Sequence, residues 1–395
     1  MVDWQAMIDR PLARRRLAAA LRRAPITALL GPRQCGKTTL ARLLGRERKL
    51  RYFDLEDEAD QSRLQNPNLA LRPLRGLVVL DEAQRMPALF EALRVLVDRP
   101  EHKARYVILG SASPFLVRGV SESLAGRVEF VELGGFDLGE TGPESVDKLW
   151  VRGGFPRSFL ARTNEDSLAW RDSFIRTFLE RDVPQLGFAI PPAAMRRFWT
   201  MLAHHHGQTW NASDLARSMG LTDKTVRSYL DLLTGTFLVR QLQPFHTNVA
   251  KRQVKAPKVY IRDSGLLHRL LGIEDRHGLL GHPQAGASWE GFALEQTLAA
   301  IRPGEPYFWS THGGAELDLF FVHRGHRFGI EFKITDAPRV TRSMRVAMED
   351  LKLNHLWVVH AGKDLFPMDE RITAWPLHGI LDLAARMNAV GRRSA

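Results

Sequence analysis

The run Ile26-Thr27-Ala28-Leu29-Leu30-Gly31-Pro32-Arg33-Gln34-Cys35-Gly36-Lys37-Thr38-Thr39-Leu40 restricts the fold of this chain more than any other stretch. Its apolar beginning reads as a buried strand, its middle is Gly-x-x-x-x-Gly-Lys-Thr, and an amphipathic helical pattern follows from Leu40 to Leu44. Strand, glycine-rich loop and helix in that order make a phosphate-binding P-loop. The backbone N–H groups of such a loop point inward and meet the positive end of the helix, which favours a polyphosphate. Gly31 and Gly36 permit conformations that a Cβ would obstruct. Pro32, Arg33, Gln34, Cys35 and Thr39 complete the cradle. Lys37 can reach the β- and γ-phosphates and the Thr38 hydroxyl can hold Mg2+, so ATP with Mg2+ is the expected ligand. A chance glycine-rich turn would not carry the motif between both flanks.

The other strands of a parallel α/β sheet are readable downstream. Residues 50–54 read as a second strand, and residues 76–82 form an apolar strand ending in Asp81-Glu82. That is the form of a Walker B strand, in which Asp81 supports the Mg2+ shell and Glu82 polarises the attacking water. Residues 106–110 form a third strand running into Ser111-Ala112-Ser113, where Ser111 either senses the γ-phosphate or merely turns the chain. Helical patterns between these strands imply a sheet covered on both faces.

With 395 residues the chain has room for several cores, and its net charge of +12 favours a polyanionic partner, with nucleic acid the commonest. The single cysteine, Cys35, excludes an internal disulfide and a Cys-based zinc site and suits a reducing cytoplasm. No apolar run is long enough to span a bilayer, so no membrane association is expected. The first 24 residues read as a surface helix.

Four regions are expected: an ATPase core over 1–142, a helical connector over 143–192, a winged helix-turn-helix over 193–250 and a further α/β domain over 251–395. In the connector Trp170, Phe174, Phe178 and Leu179 recur at helical spacing and read as core. Beyond Asn211, the spacing of Ala216, Gly220 and Val226 is that of a helix-turn-helix, with Thr222 as N-cap of its second helix. Val226, Tyr229, Leu230 and Leu233 form the buried stripe and leave Lys224 and Arg227 outside. Between Asp231 and Asp263 there is no acid, but Arg240, Lys251, Arg252, Lys255, Lys258 and Arg262 are present. A basic wing suits DNA phosphates, with Lys224, Arg227, Lys251, Arg252 and Lys255 as contacts, although such modules also dock proteins. His204-His205-His206 points three ways on a helix and is structural.

After residue 287 the expected order is helix (289–301), strands (307–310, 317–322, 327–333), helix (340–353) and strand (356–360). If His323-Arg324-Gly325-His326 connects a hairpin, Val322 pairs with Arg327 and Asp318 lies opposite Glu331. Glu316, Asp318, Glu331 and Lys333 then share one face, and facing carboxylates call for a cation such as Mg2+ or Mn2+, or for a proton.

Gly31-Pro32-Arg33-Gln34-Cys35-Gly36-Lys37-Thr38, Leu80-Asp81-Glu82-Ala83-Gln84, Gly110-Ser111-Ala112-Ser113, Ser123-Leu124-Ala125-Gly126-Arg127 and Gly153-Gly154-Phe155-Pro156 together resemble the AAA+-like ATPases that carry a C-terminal DUF4143-type domain. Through that resemblance Arg127 meets a γ-phosphate, in cis or from a neighbouring subunit of a homo-oligomer; pairing with a surface acid is the other reading. Asp318 with Glu331-Phe332-Lys333 resembles the PD-(D/E)XK nuclease superfamily. The resemblance implies that Glu295, Asp318 and Glu331 bind metal while Lys333 orients water or steadies the developing phosphorane charge. A retained nuclease fold without cutting, and an ordinary acidic sheet edge, are the other readings. The leading function is thus an ATPase that binds and processes DNA. Its rivals are an ATP-gated regulatory or defence switch that binds a protein partner, and a DNA-binding scaffold that uses ATP only for assembly.

Overall fold

The computed structural model describes residues 8–45, 50–111, 120, 122–246 and 255–390. Lys251 and Arg252 lie outside them, as do Ala112 and Ser113, and the Ser111 side chain is not described. The chain divides into two compact units: Met1–Gly135 with Gly235–Leu238, and Phe136–Thr234 with Val239–Ala395.

The first unit is built on five parallel strands, β1 (Ile26–Gly31), β2 (Leu50–Asp54), β3 (Gly76–Asp81), β4 (Ala104–Ser111) and β5 (Val128–Glu132), in the order β2-β3-β4-β1-β5. The parallel α/β core is therefore as the sequence implies. Every residue of β1 is buried, which is why that strand reads as a continuous apolar run rather than an alternating one. Ile26, Ala28, Leu30, Val78, Leu80, Tyr106 and Ile108 share one core with Leu89, Phe90, Leu93 and Leu96 of the Ala88–Val97 helix. The N-terminal helix, Pro11–Arg23, opens with proline in its first turn and buries Ala13, Leu17, Ala20 and Leu21 along one stripe.

In the second unit, short helices (Val146–Arg152, Pro156–Phe159, Asn164–Thr177) precede a wide π turn at Phe178–Asp182. Phe174, Phe178 and Leu179 are buried, and Phe155, Trp170 and Phe174 stack together at 4.8–5.4 Å, so these aromatics are core. The Pro192–His204 helix leads to β6 (Gln208–Thr209). Next come the Ala212–Met219 helix, a left-handed Gly220 (φ 68°) and the Asp223–Gly235 helix. The Thr222 hydroxyl accepts from the Thr225 amide at 3.2 Å at the start of that last helix. β7 (Val239–Pro244) and β8 (Lys258–Ile261) follow as an antiparallel pair.

The remaining strands are β9 (Tyr307–Ser310), β10 (Glu316–His323), β11 (His326–Lys333), β12 (His355–His360), β13 (Phe366–Asp369) and β14 (Ile372–Pro376). They join the earlier three in one nine-stranded mixed sheet, β13-β14-β12-β11-β10-β9-β7-β8-β6. Val322 does pair with Arg327 across the β10–β11 hairpin. β7 pairs with β8 across the expected division between residues 250 and 251. β7 also pairs with β9.

Candidate functional site

Glycine conformation and helix start set the P-loop. Gly31 has φ 158° and Gly36 φ 99°, and a Cβ on Gly31 would fall 2.0 Å from the Leu133 carbonyl oxygen. Lys37 begins its helix, and its Nζ donates to the carbonyls of Gly31 (2.9 Å) and Pro32 (2.7 Å). The Thr38 hydroxyl donates to Asp81 Oδ2 at 2.9 Å, joining the loop to the tip of β3. Tyr52 of β2 donates to the same carboxylate oxygen. Burial, then its bond to Asp81, push the Tyr52 phenol above the range of a free tyrosine, so it stays a donor.

Glu82 sits in a left-handed backbone conformation (φ 52°), with its carboxylate bound by the Gln84 amide. Burial raises its pKa, and the hydrogen bond from Gln84 opposes the shift. A carboxylate so placed is a stronger proton acceptor than a solvated one. Arg33 stands 3.9 Å from Glu56, which also meets Arg85 at 3.2 Å. Gln34 is exposed, Thr39 half-buried and Cys35 buried, with its Sγ 3.3 Å from the Leu133 oxygen.

One residue here had no local signal. Arg10, preceding the N-terminal helix, is buried and donates to the carbonyls of Cys35 (2.9 Å), Gly134 (3.2 Å) and Gly135 (2.9 Å). It ties the P-loop to the segment following β5.

Arg127 is at the wrong end of its own sheet for a contact in cis. Its carbonyl accepts from the Ile26 amide at the start of β1, whereas the P-loop follows the end of β1. Its guanidinium grips Asp98 with two bonds of 2.7 Å. The ion pair with a surface acid is what this chain contains.

Along the Asp223–Gly235 helix Val226, Tyr229, Leu230 and Leu233 are buried, and Lys224 and Arg227 are exposed. Lys255 is exposed too. Three of the cations that suggested a basic wing are not on an outer face. Arg240 and Arg262 (3.2 Å) both bind Glu295, and Lys258 is buried. Of the four described cations between Asp231 and Asp263, three are turned inward and answered by acids of a later helix.

Those acids lie on the Ala285–Ile301 helix. Burial works against the Glu295 charge, but Arg240 and Arg262 overcome it and hold its pKa near 2. Glu295 is therefore an ion-pair partner, not a member of the β10–β11 cluster. Glu290, five residues earlier, takes that place: its Oε1 accepts from Lys258 Nζ (3.2 Å) and from the Tyr260 hydroxyl (2.6 Å). Lys258 Nζ also meets Glu316 and lies 3.6 Å from Asp318 Oδ1. Asp318 Oδ2 accepts from the Phe332 amide at 2.9 Å, and Lys333 donates to Glu331 Oε1 at 2.7 Å. Glu331 Oε2 is buried and has no hydrogen-bond partner among the described residues. Burial first, then Asp318, raise the Glu331 pKa to about 8; the same two causes raise that of Glu290 to about 7. Of the His triple, only His206 is buried, and its Nδ1 accepts from the Ile261 amide at 3.0 Å.

Three family descriptions match the chain: "AAA domain" over residues 23–142, "Domain of unknown function (DUF8612)" over 143–277 and "Domain of unknown function (DUF4143)" over 285–380. Uncharacterized proteins of Mycobacterium tuberculosis and Mycobacterium bovis are each 54% identical over 375 residues, covering 95% of this chain and 85% of theirs. The chain belongs to the AAA-like P-loop ATPases that carry a DUF4143 domain. Among solved structures, a Walker-type ATPase of Pyrococcus abyssi matches at 16% identity and TM-score 0.49, covering 68% of this chain and 97% of that one. The RuvB Holliday junction branch migration motor of Thermotoga maritima matches at 16% identity and TM-score 0.30, covering 59% and 90%.

For this AAA-like ATPase the P-loop residues fit a nucleotide with Mg2+. Thr38 and Asp81 present adjoining oxygens, Lys37 a cation beside the loop carbonyls, and Gly31 and Gly36 a backbone free of side chains. Bound Mg2+ would neutralise phosphate charge there. The DUF4143 region does not fit a metal in the same way. Among the described residues no three His, Cys, Asp or Glu side chains are placed to hold one ion, and a lysine ammonium stands among the carboxylates. Among the described residues no helix is long and apolar enough to cross a membrane.

Proposed function

We propose that this chain hydrolyses ATP with Mg2+ and uses the nucleotide cycle to govern binding to DNA. The observation that carries the reading is the 2.9 Å bond between Thr38 and Asp81 with Glu82 next in sequence, since it gathers ion support and a base at the P-loop. In this reading Lys37 steadies the transferred phosphoryl group, Glu82 polarises the attacking water and Ser111 reads the γ-phosphate. Arg127, at the far end of β1, acts on the site of a neighbouring copy, which makes the working form a homo-oligomer. DNA binding draws on the helix pair 212–235 as the helices of a winged helix, with Lys224, Arg227 and Lys255 exposed, and on a net charge of +12. Lys251 and Arg252, which lie outside the described residues, are further proposed phosphate contacts.

DNA-stimulated phosphate release that disappears in Lys37→Ala is the expected result. Absence of any DNA affinity at low salt would remove the DNA limb and leave the ATPase.

A second reading has its own support. Lys258 among Glu290, Glu316 and Asp318 favours an ATP-gated switch whose C-terminal domain does not cut and instead receives a protein partner. Nucleotide-dependent capture of a defined protein, without DNA stimulation of turnover, distinguishes it.

A further inference from the structure

Among the described residues Lys258 is the least exposed lysine of the second unit, with 3% of its surface exposed. A buried ammonium is tolerated only where carboxylates and hydrogen bonds replace its water. Here those groups come from two directions. Glu290 belongs to the Ala285–Ile301 helix, and Glu316 and Asp318 to β10. Lys258 itself comes from β8, next to β7 and on the far side of β9 from β10. The ring of Phe308 on β9 closes the remaining side, 5.7 Å from Nζ.

Four carboxylates (Glu290, Glu316, Asp318, Glu331) share this region with two ammonium groups, Lys258 and Lys333. A divalent ion needs several oxygens within about 2.0–2.6 Å, and among the described residues no three His, Cys, Asp or Glu side chains are placed to hold one. It would also have to sit beside an ammonium that burial alone cannot discharge, because the surrounding acids hold Lys258 protonated.

We propose that the Lys258 ammonium is the resident cation of the Glu290–Glu316–Asp318 cluster, taking the position a divalent ion would need and fastening β8 to β10 within their common sheet. The β10–β11 carboxylates thereby hold the fold together in place of activating water. Lys258 is the residue that decides between the two uses.

The test is a Mn2+ titration of the nucleotide-free full-length chain, followed by free-ion electron paramagnetic resonance and by thermal unfolding. Wild type and Asp318→Asn are expected to give the same Mn2+ binding. Lys258→Met is expected to unfold at a temperature lower by roughly 10 °C. Saturating Mn2+ should recover part of that loss, and the recovery should vanish in Lys258→Met with Asp318→Asn. Should Lys258→Met not fold, Lys258→Met with Glu290→Gln removes one charge of each sign and is expected to restore folding. A wild-type Mn2+ site that Asp318→Asn abolishes would overturn the proposal, as would a Lys258→Met chain as stable as wild type.

Discussion

Thr38 Oγ1 and Tyr52 Oη converge on one oxygen of Asp81, Oδ2, while its Oδ1 accepts from the Glu82 amide at 3.0 Å. Three donors therefore hold the carboxylate. Tyr52→Phe is expected to leave the fold intact and to raise the Mg2+ concentration needed for half-maximal turnover several-fold. Asp81→Asn should abolish turnover. Steady-state hydrolysis across a Mg2+ series checks both, and an unchanged Mg2+ requirement in Tyr52→Phe would show that Thr38 alone orients Asp81.

Arg10 grips three backbone carbonyls at once, Cys35, Gly134 and Gly135. Arg10→Ala leaves those acceptors without a charged donor, at a cost of about 2–3 kcal/mol. Urea unfolding measures that loss, and nucleotide affinity should fall with it because Cys35 lies in the loop itself. Arg10→Lys should recover little, since an ammonium lacks the planar fork that spans the three oxygens.

The Arg127–Asp98 pair separates a structural from a trans-acting role. Arg127→Ala should slow turnover at high protein concentration with nucleotide affinity unchanged, and Asp98→Ala should leave turnover intact. Equal loss in both variants would mean that the ion pair, not a neighbouring site, is what matters.

Stability should fall with rising pH through the carboxylate cluster. Glu331 has its pKa raised from 4.5 to about 8, facing Asp318, Lys333 and Glu290. The folded chain therefore binds more protons than the unfolded chain between those values, and stability is greatest below 4.5 and declines towards 8. The slope is at most about 1.4 kcal/mol per pH unit for one proton. Glu331→Gln, which needs no proton, should flatten the fall seen in urea unfolding from pH 5 to pH 9. An identical profile in the two proteins would place the titration elsewhere.

The P-loop, the Walker B strand and the β10–β11 register were legible because each depends on residues adjacent or evenly spaced in the chain. Counting from a four-residue connection is enough to bring Val322 to Arg327. The choice between Glu290 and Glu295 was not. The Ala285–Ile301 helix is buried on nearly every side, so no polar stripe marks which acid faces the sheet. Five residues turn a helix by about 140° beyond a full turn, which sends the two carboxylates to different neighbours. A cue did exist in β8. Lys258, Tyr260 and Arg262 alternate onto one face, and all three meet acids of that helix. Read alone, the same alternation looks like a basic surface, since charge shows no direction until its partner is placed. Arg10 stayed hidden because its acceptors are main-chain carbonyls more than a hundred residues away, at Gly134 and Gly135.

The short parallel pairing of β7 with β9, Gln243 to Tyr307 and Pro244 to Phe308, crosses the boundary between the regions that match DUF8612 and DUF4143. Two names therefore divide a single sheet. Cutting the gene at that boundary would bare one raw strand edge on each fragment, an invitation to stick to any extended chain nearby. Anyone wishing to study these regions apart from the ATPase core is best served by producing them as one piece.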